Sequence, residues 1–122
     1  LKTKRQQEYF SLLNLTWDVT HANELCEDRK PSGVFKVADA ITMLGFIGLE
    51  DSDGPVDLNR ACIAISYPNF NVIIDGWHRI RDAHANGIEE LDVWILSPKD
   101  ERACRVSPKD NKWKKFDKSL EK

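Results

Sequence analysis

The chain has 122 residues, of which 41% are hydrophobic and 31% charged. That composition excludes disorder and suits a single domain with a real core. The formal net charge of −2 conceals a segregation: residues 1–14 carry +2 and residues 97–122 carry +4, and everything between is acidic.

No run of about 18 apolar residues is present, so no membrane partner is expected. The opening "LKTKRQQEYF" lacks the apolar core of a signal peptide, which predicts a cytoplasmic protein. Cys26, Cys62 and Cys104 are widely spaced with no CxxC pair. That spacing predicts reduced thiols rather than a disulfide framework or a structural zinc.

Residues 3–14 read as a helix, with Tyr9, Leu12 and Leu13 apolar at helical spacing. A second helix is expected in "TWDVTHANEL", with Thr20 as N-cap and Asn23 or Glu24 near the capping-box position. "EDRKPSG" is a loop by its Pro and Gly. "VFKVADAITMLGF", residues 34–46, places Val34, Val37, Ala38, Ile41 and Leu44 three and four apart, the pattern of an amphipathic helix ending near Gly45. The acidic stretch 48–57 lacks the alternation of an EF-hand, so no metal site is expected from it.

"ACIAIS" (61–66) and "NVIID" (71–75) predict a strand pair joined through a turn at Pro68 and Asn69. A helix follows over 77–86 and ends at Asn86-Gly87. "ELDVWIL", 90–96, is a third strand. Strand, helix and strand are expected to share one sheet through a crossover. On a helical wheel Trp77, Ile80, Ala83 and His84 form one apolar stripe, with Arg81 at its edge and His78 and Arg79 off it. His84 is thus expected to pack against the core, as are Trp17 and Trp94. The end repeats itself: "SPKDERACRV" and "SPKDNKWKKF" each offer a capping Ser, a Pro at the first helical position and an acid in the first turn. Two short helical turns are predicted.

Positive charge is unwelcome where a helix begins, yet His78, Arg79 and Arg81 open the helix that follows Asp75-Gly76. A helix N-terminus presents unpaired N–H groups, Gly76 lets a ligand approach the backbone, and an arginine fork grips phosphate oxygens. Together these make an anion seat whose natural guest is phosphate. The alternative is structural: Asp75 caps the helix and pairs with the nearby cations.

"IIDGWHRIRDAHANGIEELDVWIL" resembles the ParB/sulfiredoxin superfamily. In ParB-type partition proteins a strand runs into Gly-Glu-Arg-Arg-x-Arg-Ala-Ala, opening a helix that holds nucleotide phosphates. Gly76 matches the glycine, His78 and Arg79 the basic pair, Arg81 the third basic position and Ala83 the closing alanine. The Asp-Gly-x-His-Arg form also looks like motifs of ParB-like domains in bacterial defence proteins. Sulfiredoxins place a reactive Cys where Trp77 stands, so sulfinic acid repair is not expected.

The resemblance implies an α+β, ParB/sulfiredoxin-like fold: a small mixed sheet, helices packed around it, and a strand–helix–strand core. Residues 1–96 would form that domain and 97–122 a basic extension, too short for the helix-turn-helix domain of partition proteins. It implies a nucleoside triphosphate or diphosphate as ligand, with or without Mg2+. Gly76, Trp77, His78, Arg79 and Arg81 would hold it. Asp75 is the candidate catalytic carboxylate, placed to orient a magnesium-bound water or act as a weak base, with Glu50, Asp51 and Asp53 as further candidates if the acidic loop folds over the site. The activities that go with such a domain are those of a nucleotide triphosphatase, a small-molecule kinase or a nuclease. The alternative is a non-catalytic DNA- or protein-binding module, reaching DNA through Lys112, Lys114 and Lys115 of the tail, with Trp113 and Phe116 interleaved. Either form is compatible with an oligomer.

Overall fold

A computed structural model describes residues 7–12, 15–46, 57–66 and 71–107. The chain is mixed α+β. Its elements are β1 (Tyr9–Leu12), β2 (Leu15–Asp18), α1 (Val19–Cys26), β3 (Gly33–Lys36), α2 (Val37–Ile41), a 3-10 turn (Thr42–Phe46), β4 (Cys62–Ser66), β5 (Asn71–Asp75), α3 (Trp77–Ala85), β6 (Glu90–Leu96), α4 (Pro98–Cys104) and β7 (Arg105–Ser107).

Two sheets organise these elements. One is three-stranded in the order β1-β2-β7, and the other four-stranded in the order β3-β6-β4-β5. β4 and β5 pair antiparallel as the sequence predicts. β5 and β6 share a sheet, but β4 lies between them, paired parallel to β6. The α3 connection therefore carries the chain over β4 rather than onto a neighbouring strand.

The first helix expected, over 3–14, is not formed where it can be described. Tyr9–Leu12 is a strand in register with Leu15–Asp18. Its burial alternates with period two, and the Phe10 ring stacks on Trp17 at 6.2 Å between centroids. α1 begins before Thr20: Asp18 is its N-cap, accepting from His21 N–H at 2.9 Å. The Thr20 hydroxyl instead accepts from Glu8 N–H at 2.7 Å, tying β1 to the helix. The single helix expected over 34–46 is a strand, a short helix and a 3-10 turn in succession. Val34 and Phe35 pair with Asp92 and Leu91 of β6, and this pairing outweighs the local helical spacing.

The four-stranded sheet separates two apolar clusters. One face carries Ile63, Ile65, Val72, Ile74, Trp94 and Leu96, packed with Trp17, Ala22, Cys26 and Cys104. The other carries Cys62, Ala64, Leu91 and Val93 under α2 and α3, with Ile80 and Ala83 fully buried. Trp17, Trp94, Ile80 and Ala83 are buried as expected, but His84 is exposed. It sits in the last turn of α3.

Residues 97–107 are built into this body. Ser97 caps α4, accepting from Asp100 N–H at 3.2 Å, and Pro98 opens the helix. Glu101 is fully buried and accepts from Trp17 Nε1 at 2.7 Å and Arg105 Nε at 2.7 Å. A second bond, from Arg105 Nη2 to the other carboxylate oxygen, completes a two-pronged pair. The second Ser-Pro repeat, the basic tail and Glu50, Asp51 and Asp53 of the acidic stretch lie outside the described residues. Among the described residues no helix is long and apolar enough to cross a membrane.

Candidate functional site

The site grows from a fault in the β4–β5 ladder. The register shifts between Ile63 and Ala64, so that Ile63 pairs with Asp75 while Ala64 pairs with Ile73. Ile74 is the extra residue. A bulge of this kind re-aims the side chains beside it. Asp75 is turned toward α1, where its Oδ2 accepts from Asn23 Nδ2 at 3.1 Å.

Gly76 follows with φ at 113°, the left-handed region that glycine alone enters without strain. It is the N-cap of α3 and supplies no side-chain bond. Asp75 pairs with a nearby cation, as the structural alternative has it. A Cβ on Gly76 would stand 2.4 Å from Cys62 Sγ and 2.6 Å from Arg79 Nη1. The second distance locates the guanidinium: Arg79 folds back over the N-cap of its own helix.

Arg79 is held there by two long bonds. Nη1 donates to the Ala61 carbonyl at 3.3 Å, and Nη2 to Asp75 Oδ2 at 3.4 Å. Charge-assisted bonds are ordinarily about 2.7–2.9 Å. A second arginine joins the cluster through Asn23: Arg60 Nη2 donates to Asn23 Oδ1. Its guanidinium lies over the Trp94 ring, 5.2 Å from the centroid, which fixes its plane. The chain of contacts therefore runs Arg60, Asn23, Asp75, Arg79, with two cations and one carboxylate.

Of the residues expected at the site, Asp75, Gly76 and Arg79 come together. His78 is half-buried on the first turn. Trp77 is 7% exposed, packs in the second apolar cluster and spends its indole N–H on the Ile73 carbonyl at 2.9 Å. Arg81 leans on its neighbour Asp82 at 3.3 Å. Asn23 and Arg60 complete the cluster, though the sequence reading did not name them for it. Both are distant in sequence from Asp75; the faint signal was an arginine placed directly before a buried strand.

Cys62 lies behind Gly76, fully buried, with Sγ 3.9 Å from the Gly76 carbonyl. Burial pushes its thiol up, and the nearby Arg79 offsets that only in part. It is therefore a packed, protonated thiol and not a nucleophile at neutral pH. Among the described residues no group of three His, Cys, Asp or Glu side chains is arranged to hold a metal ion.

No protein-family model, curated protein or solved structure matches the chain.

Proposed function

We propose that the chain is a ParB-like nucleotide-binding domain that seats phosphates at the N-terminus of α3, with the ParB/sulfiredoxin type of fold. One observation carries this reading: Arg79 stands at the mouth of the helix on two bonds of 3.3 and 3.4 Å, both long for a guanidinium. Bonds of that length leave the guanidinium, 12% exposed beside Asp75, shorter bonds to gain from a guest that replaces the pair. Phosphate oxygens offer it shorter, two-pronged bonds, and the α3 backbone N–H groups add their partial charge.

The donor set fits the anion better than a protein-held metal. Arg79 pairs with Asp75 and Arg60 bonds Asn23, so the one carboxylate of the cluster is already committed to Asn23 and Arg79. Any Mg2+ would arrive on the phosphates rather than in a site made by the protein. Asp75 is the internal counter-ion that the phosphate displaces. Once released, it is the one carboxylate of the cluster available to orient a water, the role it would play in hydrolysis.

Calorimetric titration of ATP, CTP, GTP and ADP, each with and without Mg2+, tests the reading. At least one nucleotide is expected to bind, and Arg79→Ala to weaken it by tenfold or more. Absence of binding by all four refutes the proposal. Binding that Arg79→Ala leaves intact shows that the phosphates sit elsewhere. The alternative of a DNA-binding module rests on tail lysines outside the described residues.

A further inference from the structure

Among the described residues the second apolar cluster is covered by α2 and α3, through Val37, Ala40, Trp77, Ile80 and Ala83. Beside Trp77 and Ala40, the strand residues Ala64, Ile73 and Val93 form the floor of an open cavity of about 770 Å3, which Phe35 and Met43 also line. That volume lies within the range of cavities that hold small molecules, about 300–1,000 Å3.

Among the described residues the exposed apolar surface is concentrated at this place. Four large hydrophobic residues are exposed among the described ones, and three of them, Val34 (58%), Met43 (42%) and Ile95 (41%), line this cavity. Singly scattered apolar residues need no explanation, but a patch that rims a cavity does. Met43 adds an unbranched side chain that adapts to the shape of a guest.

Charge narrows the guest. Among the described residues the lining contains one charged group, Asp39, and one amide, Asn71, and no cation. A carboxylate beside apolar walls repels an anionic guest and attracts a cationic one. We infer that this cavity binds an apolar small molecule bearing one cationic amino group, its apolar body on the Ala64–Ile73–Val93 floor and its ammonium at Asp39. This site is distinct from the phosphate seat, which is built from arginines.

The probe is n-octylammonium, with octanoate and 1-octanol as comparisons, titrated by calorimetry and followed by backbone amide shifts. Saturable one-to-one binding of octylammonium is expected, with shifts centred on Ile73 and Val93. Octanoate is expected to bind at least tenfold more weakly. Asp39→Asn, an exposed substitution that leaves the fold intact, is expected to weaken octylammonium about fivefold, the upper reach of a partly exposed ion pair. Ala64→Leu, shown folded by its melting curve, is expected to block all three. No saturable binding, equal binding of octanoate, an unchanged affinity in Asp39→Asn, or shifts confined to the Arg79 region would each overturn the proposal.

Discussion

Replacing Gly76 with alanine tests the architecture of the site more directly than removing any charge. Two costs arise together. The first is conformational: an L side chain held at φ 113° loses about 1–2 kcal/mol. The second is steric, because the new Cβ would stand 2.4 Å from Cys62 Sγ, 2.9 Å from Cys62 Cβ and 2.6 Å from Arg79 Nη1. The arginine can swing away, but the cysteine is fully buried in β4 and cannot. Forcing a close-packed neighbour aside costs about 1–3 kcal/mol. The sum is roughly 3 kcal/mol, or about 10 °C in Tm for a chain of this size.

Urea unfolding of Gly76→Ala measures the sum, and the same substitution in a Cys62→Ala background separates its parts. Removing Sγ relieves the tightest contact, so the cost in that background should fall by about 1 kcal/mol, leaving the conformational share. A total loss below about 1 kcal/mol would refute the reasoning. An equal loss in both backgrounds would refute its steric half.

Three further outcomes are expected. Asp75→Asn keeps the bond to Asn23 but removes the competing carboxylate, so the nucleotide affinity measured by calorimetry should rise severalfold; a fall would show that Asp75 contacts the ligand productively. Glu101→Ala removes the two-pronged partner of the Arg105 side chain, which is 2% exposed, and should cost about 3–5 kcal/mol in urea unfolding, where a loss under 1 kcal/mol would deny the pair its structural role. The third concerns alkali. Burial pushes the Cys104 thiol from its ordinary 9.0 up to about 12, and raises Cys26 and Cys62 as well. Above pH 9 the unfolded chain loses these protons while the folded chain keeps them, so stability should fall between about pH 9 and 12. Unfolding at stepped pH should show a gentler fall in Cys104→Ala, and identical slopes would argue against the shift.

The central strands and α3 were legible because each obeys a local rule strongly. "CIAIS" and "NVIID" are β-branched runs, and Trp77, Ile80 and Ala83 mark one helical face up to a left-handed Gly87. The N-terminal strands were not, because Tyr9, Leu12 and Leu13 fit a helical spacing about as well as an extended one. The choice is made by Trp17, which receives Phe10 from across the hairpin. Val34 and Phe35 misled for the same reason: their partners lie in β6, more than fifty residues away. At the site, Gly76 and Arg79 were readable as neighbours on one short motif. Asn23 and Arg60 join it only through the bulge that turns Asp75 toward α1, and a one-residue slip in a strand pair leaves no mark in composition or periodicity.

The order in which the strands are made differs from the order in which they lie. β6 is late in the chain yet central in its sheet, holding β3 on one side and β4 on the other. β7, later still, closes on β2, about ninety residues upstream. During synthesis, then, β3 has no edge to pair with until Leu96 has emerged, and Trp17 waits for Glu101 to accept its indole proton. A nascent chain stalled before that point carries two unfinished sheets with bare edges, the state in which strands find the wrong partners.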